Sequence, residues 1–230
     1  MIPVIILGSL SVLTVSPRVM SAAGKGSASG GFASKVAASV FFCAAGLVAV
    51  LGREITLPRA GMLAAFLLAL LGDIFLGLGP FTHEKHKNFF FLLGSAPFLL
   101  AQLLYIAVLL SLAPFSWALL PIAFALPVIY ILLIWRGALA YLCENTAPIM
   151  LYGAVMSVMA MAAANALAAE HPAGAFALAA GVLFALSDTC LFLNNFGSDR
   201  VRAHGRGLTA LVMLPYYAAQ ALFALVLFKV

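Results

Sequence analysis

Charged side chains are scarce in this sequence. Only 8% of its 230 residues are charged, whereas 65% are hydrophobic. A soluble domain normally carries about 25% charged residues, so this chain has too few to cover a water-facing surface. Together with a mean hydropathy of +1.17, this composition predicts lipid as the solvent. It also argues against nucleic-acid binding, because the formal charge of +5 comes from scattered residues that form no basic patch or stripe.

Several common site signatures are also missing. The three cysteines, Cys43, Cys143 and Cys190, form no close pair and lack metal-ligand spacing, so we interpret them as packing residues. The apolar runs contain no histidine, and His83 with His86 lacks the His-Glu-x-x-His spacing of zinc proteases. There is no Gly-x-Ser-x-Gly elbow and no phosphate-cradling glycine loop. The sequence therefore predicts no metal and no organic cofactor.

What the sequence does contain is a series of long apolar runs. The first, Ile2 to Val15, has no basic residue before it, whereas a signal peptide begins with a positive region. We therefore expect a retained helix there, followed by a flexible Gly/Ser-rich linker, Ala22 to Gly31. At roughly 20 residues per span, the runs predict an all-α, polytopic transmembrane helical bundle of about eight spans, forming one domain over residues 1–230. The predicted spans are 2–17, 35–52, 60–79, 89–111, 115–135, 147–168, 174–193 and 208–228.

The distribution of lysine and arginine predicts an orientation. Nine of these residues lie in the odd-numbered loops, and three lie in the even-numbered loops and termini. The positive-inside rule places the odd loops in the cytoplasm and both termini on the non-cytoplasmic side. A small chain with short loops suits a bacterial inner membrane.

Two carboxylates lie inside predicted spans, namely Asp73 and Asp188. A charge at mid-membrane costs at least about 2.5–3.5 kcal/mol, so such residues usually face the bundle interior and mark a site. Both lie roughly 20 Å from the outer end of their spans at 1.5 Å per residue. At one depth in a medium of low dielectric they do not both ionise readily. The pair would then supply one protonated acid and one carboxylate base, as acid-catalysed hydrolysis requires.

The two aspartates alone leave three functions open. They are catalysis, proton or cation transport, and a structural role in holding helices together. An enclosed cavity that contains both would favour an enzyme, a path between both membrane faces would favour transport, and separate packing would favour structure. Discontinuous helices are typical of transporters, and Pro97 and Pro127 are the positions where spans four and five would break.

Three short blocks carry a family resemblance. They are Leu71-Gly72-Asp73-Ile74-Phe75-Leu76; Phe91-Leu92-Leu93-Gly94 through Phe98 to Ala101-Gln102-Leu103-Leu104-Tyr105; and Ser187-Asp188 followed by Asn194-Asn195-Phe196. In order and spacing they resemble the YhhN/TMEM86 family, the lysoplasmalogenase-like membrane proteins. Two positions depart from the family pattern. Gln102 stands where a histidine is frequent, and Val36 follows Lys35 where a Lys-Pro pair is common, so we expect no catalytic imidazole at position 102.

The resemblance implies an activity. It is hydrolysis of the vinyl-ether bond of a lysoplasmalogen, a lysophospholipid, to a fatty aldehyde and glycerophosphoethanolamine or glycerophosphocholine, with no cofactor. A vinyl ether is hydrolysed by protonation of its β-carbon, capture of the oxocarbenium ion by water, and collapse of the hemiacetal. One carboxylic acid supplies the proton, and a carboxylate stabilises the cation and activates water. We therefore expect Asp73 and Asp188 to be catalytic, with the acid unassigned. The alternatives are a transporter and a non-catalytic lipid-binding protein.

Basic residues on the predicted cytoplasmic side are candidates for binding the substrate phosphate. Lys35, Arg136 and Arg202 would do so by charge-assisted hydrogen bonds. Their alternative role is as ordinary snorkelling or topology-setting charges.

Polar residues within the spans are further candidates. Ser187 and Asn194 would orient water or an aspartate, or would simply bond neighbouring helices. Tyr152 shares one face of span six with Met156 and Met159, which would line an acyl channel or pack in the core. Gln102 and Tyr105 lie toward the outer end of span four, so we expect neither to contact the aspartates.

Overall fold

The computed structural model describes residues 1–15, 28–81, 84–137 and 146–230, and the regular elements within them are helical. The helices are α1 (Ile2–Thr14), α2 (Ala28–Val50), α3 (Leu57–Leu78), α4 (Glu84–Ser111), α5 (Ala125–Trp135), α6 (Thr146–Ala168), α7 (Gly174–Phe196), α8 (Asp199–Arg202) and α9 (Gly205–Lys229). Two 3₁₀ segments, Gly79–Phe81 and Trp117–Phe124, complete this set. Seven segments of the described chain are long and apolar enough to cross a membrane. The chain is thus an all-α integral membrane protein, as its composition predicts.

The first predicted span differs from the other seven. α1 has 13 residues, which is about 20 Å of helix, whereas the hydrocarbon core of a bilayer is about 30 Å thick. The rest of that span and most of the predicted linker lie outside the described residues. The end of the linker is helical, because α2 already begins at Ala28. α1 packs against α2 and α9, and the Ser11 hydroxyl donates to the Ala38 carbonyl at 2.7 Å.

Six helices form a ring, each in contact with the next. The order of contacts around the ring is α2, α3, α4, α6, α7, α9 and back to α2. Small residues allow the closest approach, as at the crossing of α3 and α4. A Cβ atom at Gly72 would lie 2.7 Å from the Phe98 ring, and one at Gly94 would lie 2.6 Å from Leu76. Glycine at such crossings lets two membrane helices pack closely, and here it holds Phe98 and Leu76 in place.

The fifth predicted span is broken and lies outside the ring. Its first half is the 3₁₀ segment Trp117–Phe124 and its second half is α5, and both pack against α6. The break lies just before Pro127, whereas Pro97 lies inside the uninterrupted helix α4. Backbone groups released by a break must find other partners in lipid, and the Leu126 N–H donates to the Ser157 hydroxyl at 2.9 Å.

Candidate active site

Asp73, on α3, is surrounded by hydrogen-bond donors. Its Oδ1 lies 3.1 Å from the ammonium of Lys35. Its Oδ2 accepts hydrogen bonds from the hydroxyls of Ser39 at 2.6 Å and Tyr216 at 2.8 Å, and the Tyr217 hydroxyl lies 3.5 Å away. Only 1% of Asp73 is exposed, and a charge so deeply buried requires pairing and hydrogen bonding. Each of these neighbours is a donor and Lys35 is a cation, so together they offset the cost of burying the Asp73 carboxyl group.

The sequence predicts Lys35 as the first residue of its span, but the helix begins earlier. Lys35 lies within α2 and is 5% exposed, because this helix begins seven residues before it. Glycine and serine are poor helix formers, so the Gly/Ser-rich composition around Ala28 predicts a linker. Packing of α2 against α1, α3 and α9 outweighs that preference. Lys35 is therefore the counterion of Asp73.

Asp188, on α7, has neutral partners instead. Its Oδ2 accepts hydrogen bonds from the Tyr152 hydroxyl at 2.8 Å and from the Gln102 side-chain amide at 3.2 Å. Within the described part of the chain, no cation forms an ion pair with Asp188 and no donor or acceptor contacts its Oδ1. A buried carboxyl group without a counterion is favoured in its neutral form. Both aspartates are buried, but among the described residues only Asp73 has a cationic partner.

Both aspartates line one small cavity. Its polar lining consists of Lys35, Asp73, Ser187, Asp188 and Tyr216. The volume is about 30 Å³, which is room for one or two water molecules. The structure thus brings the two carboxyl groups to a shared, water-sized space, as their equal depth predicts.

The cavity lies nearer one end of the bundle. This is the end at which α3 and α7 finish and α2, α4 and α9 begin. The odd-numbered loops connect the spans at this end, and they carry most of the basic residues of the sequence. A ligand that reaches the cavity from this end crosses the more basic face of the protein.

Every helix of the ring contributes a side chain to this polar centre. The contributors are Lys35 and Ser39 from α2, Asp73 from α3, Gln102 from α4, Tyr152 from α6, Ser187 and Asp188 from α7, and Tyr216 and Tyr217 from α9. The centre therefore lies inside the ring. Its groups can hold a fixed negative charge, donate a proton and retain water. Among the described residues, no group of three or more His, Cys, Asp or Glu side chains is placed to hold a metal.

Two of the predicted binding residues lie at this centre. Ser187 lines the cavity and donates to the Val212 carbonyl at 2.7 Å. Tyr152 bonds Asp188 directly. Its predicted neighbours on α6, Met156 and Met159, are fully buried in the core, so they pack rather than line a channel.

Two other polar candidates, Arg136 and Asn194, do not line the cavity. Arg136 is exposed at the end of α5, and its guanidinium lies 5.6 Å from the centre of the Trp135 ring. Asn194 is half-buried on α7 and is not part of the cavity lining. The backbone of Arg202 belongs to α8, and its side chain lies outside the described part of the structure.

The expectation that Gln102 does not reach the aspartates is wrong. Side chains in a helix lean toward its N-terminus, and α4 and α7, the third and sixth of the seven spanning segments, cross in opposite directions. Gln102 and Asp188 therefore lean toward one another, and the long glutamine side chain closes the remaining gap. Tyr105, one turn further along α4, instead donates to Gln220 at 2.7 Å and stacks on Phe223.

Sequence reasoning missed the hydroxyl groups around Asp73. Ser39 follows Lys35 by four residues, which places both on one face of a helix, but that relation appears only once Lys35 is assigned to α2. Tyr216 and Tyr217 are adjacent tyrosines in an apolar span, and both are buried. A buried tyrosine hydroxyl requires a partner, so this pair was the available signal.

Comparisons with known proteins give one positive finding and two negative ones. The model of the YhhN family matches residues 30–227, a range that includes every residue of the polar centre and excludes α1. No curated protein and no solved structure matches the chain.

Proposed function

This chain belongs to the YhhN family, and from that premise we propose that it hydrolyses the vinyl-ether bond of lysoplasmalogens inside a bacterial inner membrane. The observation that carries the proposal is a water-sized cavity that two carboxyl groups with unlike partners both line. Such an arrangement supplies an acid, a fixed negative charge and room for water, which are the needs of vinyl-ether hydrolysis.

Asp188 is the acid in this mechanism. It has no counterion among the described residues, and Tyr152 and Gln102 both contact its Oδ2, which leaves Oδ1 to carry the proton. In the first step that proton moves to the β-carbon of the vinyl ether, and the π electrons form the new C–H bond. The product is an oxocarbenium ion beside the Asp188 carboxylate.

Asp73 stabilises that cation as a fixed negative charge. Its Oδ1 is paired with the Lys35 ammonium and its Oδ2 accepts hydrogen bonds from Ser39 and Tyr216, whereas Asp188 has just given up its proton. We therefore assign the base step to Asp188 as well. Water adds to the oxocarbenium carbon and gives one proton back to Asp188. The hemiacetal then collapses, its hydroxyl proton passing to the departing glycerol oxygen, to leave an aldehyde and an alcohol.

Lys35 remains a proposed substrate contact. An ammonium group has three donors and one is directed to Asp73, so the others are available to an ether, glycerol or phosphate oxygen in the cavity. Arg136 and Arg202 belong to the loops of the more basic end, and remain proposed contacts of the phosphate, as Asn194 remains a proposed substrate contact. The broken span gives no support to the transporter alternative, because it lies outside the ring that contains both aspartates.

The proposal is tested by aldehyde release from lysoplasmenylethanolamine by the purified, lipid-reconstituted protein. We expect release by the unmodified protein and its loss in folded Asp188→Asn and Asp73→Asn variants. Glu54→Gln, which changes an exposed carboxyl group at the opposite end of the bundle, is the matched control and should remain active. Absence of aldehyde from the folded unmodified protein, or full activity of either aspartate variant, would contradict the mechanism.

A further inference from the structure

The cavity has a second, apolar layer that the chemistry above does not use. Its members, here called the collar, are Leu76, Phe98, Leu191, Val212 and Met213. Each lies one helical turn from a residue of the polar centre on its own helix. Leu76 follows Asp73 by three residues, and Leu191 follows Asp188 by three. Val212 and Met213 precede Tyr216 by four and three residues, and Phe98 precedes Gln102 by four.

These offsets all point toward the same end of the bundle. On α3 and α7 they lead toward the end of the helix, and on α4 and α9 they lead toward its start. The collar therefore lies about one helical pitch, roughly 5 Å, above the polar layer on the side of the basic face. A ligand that approaches the aspartates from that face meets an apolar constriction first.

The collar is not uniformly buried. Phe98 and Val212 are 7% and 6% exposed, whereas Leu76, Leu191 and Met213 are partly exposed. Among the described residues that line the cavity, Lys35 carries the only positive charge. Although it belongs to the polar centre, it precedes Ser39 by one turn on α2 and so lies at the level of the collar. The collar thus combines accessible apolar side chains with a single cationic donor.

The occupant of the collar follows from this chemistry. The whole cavity is about 30 Å³, so the polar layer has room only for a small group, and a longer ligand occupies the collar by displacing its partly exposed side chains. A phosphate within the apolar collar would lose its hydration without sufficient hydrogen bonds, whereas an alkyl segment there removes apolar surface from water. We propose that the collar binds the carbons that follow the vinyl group in the single alkenyl chain of the substrate, with Lys35 on the ether and glycerol oxygens. This inference rests on the proposed function.

The test uses a lysolipid that binds but cannot be cleaved. Its single chain is joined by a saturated ether and carries a photoreactive diazirine a few carbons from the ether oxygen. After irradiation of the reconstituted full chain, we expect labelled peptides of α3, α7 and α9 that contain Leu76, Leu191 or Met213. Labelling confined to lipid-facing positions would overturn the proposal.

A pair of variants on α9 sharpens the result. Met213→Trp fills the collar and should reduce its labelling about tenfold, the factor that corresponds to ~1.4 kcal/mol of lost binding. Leu211→Trp adds the same bulk at a side chain that is 47% exposed and should leave labelling unchanged; equal labelling in the two variants would overturn the proposal. Should Met213→Trp fail to fold, the labelling pattern of the unmodified protein decides the matter.

The same preparations separate this inference from the proposed function. Collar labelling without aldehyde release from the vinyl lipid would support the collar as a chain-binding site and refute the hydrolase. Aldehyde release without collar labelling would support the hydrolase and refute the collar.

Discussion

The Lys35–Asp73 pair provides the sharpest test of the structure. Its nitrogen and oxygen are 3.1 Å apart, and the two side chains are 7% and 2% exposed. Removal of one partner from a buried ion pair typically costs about 3–5 kcal/mol, because it leaves an uncompensated buried charge. For Lys35→Met we expect a loss at the lower end of that range, since Ser39 and Tyr216 still donate to Asp73.

The double variant Lys35→Met/Asp73→Asn distinguishes the pair from two independent residues. Replacement of both charges of a buried pair by uncharged groups often changes stability little. The double variant should therefore lose about 2–3 kcal/mol less of its free energy of unfolding than the two single losses add up to. Stability is measured by loss of helical circular dichroism during titration with a denaturing detergent. Lys229→Met, at an exposed lysine on α9, is the control and should have little effect.

The activity of these variants adds a second readout. The double variant should be inactive toward lysoplasmenylethanolamine although folded, because the fixed negative charge is gone. Strictly additive stability losses would show that no buried pair exists, and an active double variant would refute the electrostatic role of Asp73.

Three further predictions concern other contacts. Tyr152→Phe removes one hydrogen bond to the acid, and we expect kcat for aldehyde release to fall about tenfold, equivalent to ~1.4 kcal/mol, with KM nearly unchanged; a change in KM alone would contradict this role. Gly72→Ala places a methyl group against an aromatic ring at the crossing of α3 and α4, so it should lower the free energy of unfolding by about 1–3 kcal/mol. Gly207→Ala is the control and should leave that free energy unchanged, because the added methyl group meets nothing within 4 Å. Ser157→Ala leaves the Leu126 N–H without its acceptor and should cost about 1–3 kcal/mol while kcat is retained; a loss of kcat in the folded variant would show that the broken span contributes to the site.

Much of the fold could be predicted because lipid imposes a simple rule on composition. A run of some 20 apolar residues crosses the membrane as a helix, and a carboxylate within such a run is costly enough to require a reason. That rule identifies Asp73 and Asp188. Counting residues from the ends of their helices also predicts that the two lie at a common depth. The same counting wrongly separates Gln102 from Asp188, because it ignores the direction in which side chains lean and their length.

Other parts of the site depend on information that local sequence does not carry. Packing against three other helices decides where α2 starts, and local sequence does not show it. The Gly/Ser-rich first turns of α2 therefore predict a loop, and Lys35 is predicted at the start of the helix instead of within it. A charge at the end of a span does not reveal whether its helix belongs to the ring. Arg136 ends a peripheral helix and Lys35 lies on a ring helix, yet both resemble ordinary flanking charges in the sequence.

The position of the ion pair on consecutive spans has a consequence for membrane insertion. A lone lysine or aspartate adds about 2.5–3.5 kcal/mol to the insertion of a helix, but α2 and α3 are joined by a short connection and emerge from the ribosome one after the other. We expect them to enter the bilayer as a hairpin whose two charges already neutralise each other. Asp188 arrives later, on α7, and the hydroxyls of Tyr216 and Tyr217 arrive only with α9. The order of synthesis thus delivers the ion pair first, Asp188 second and the tyrosine hydroxyls last.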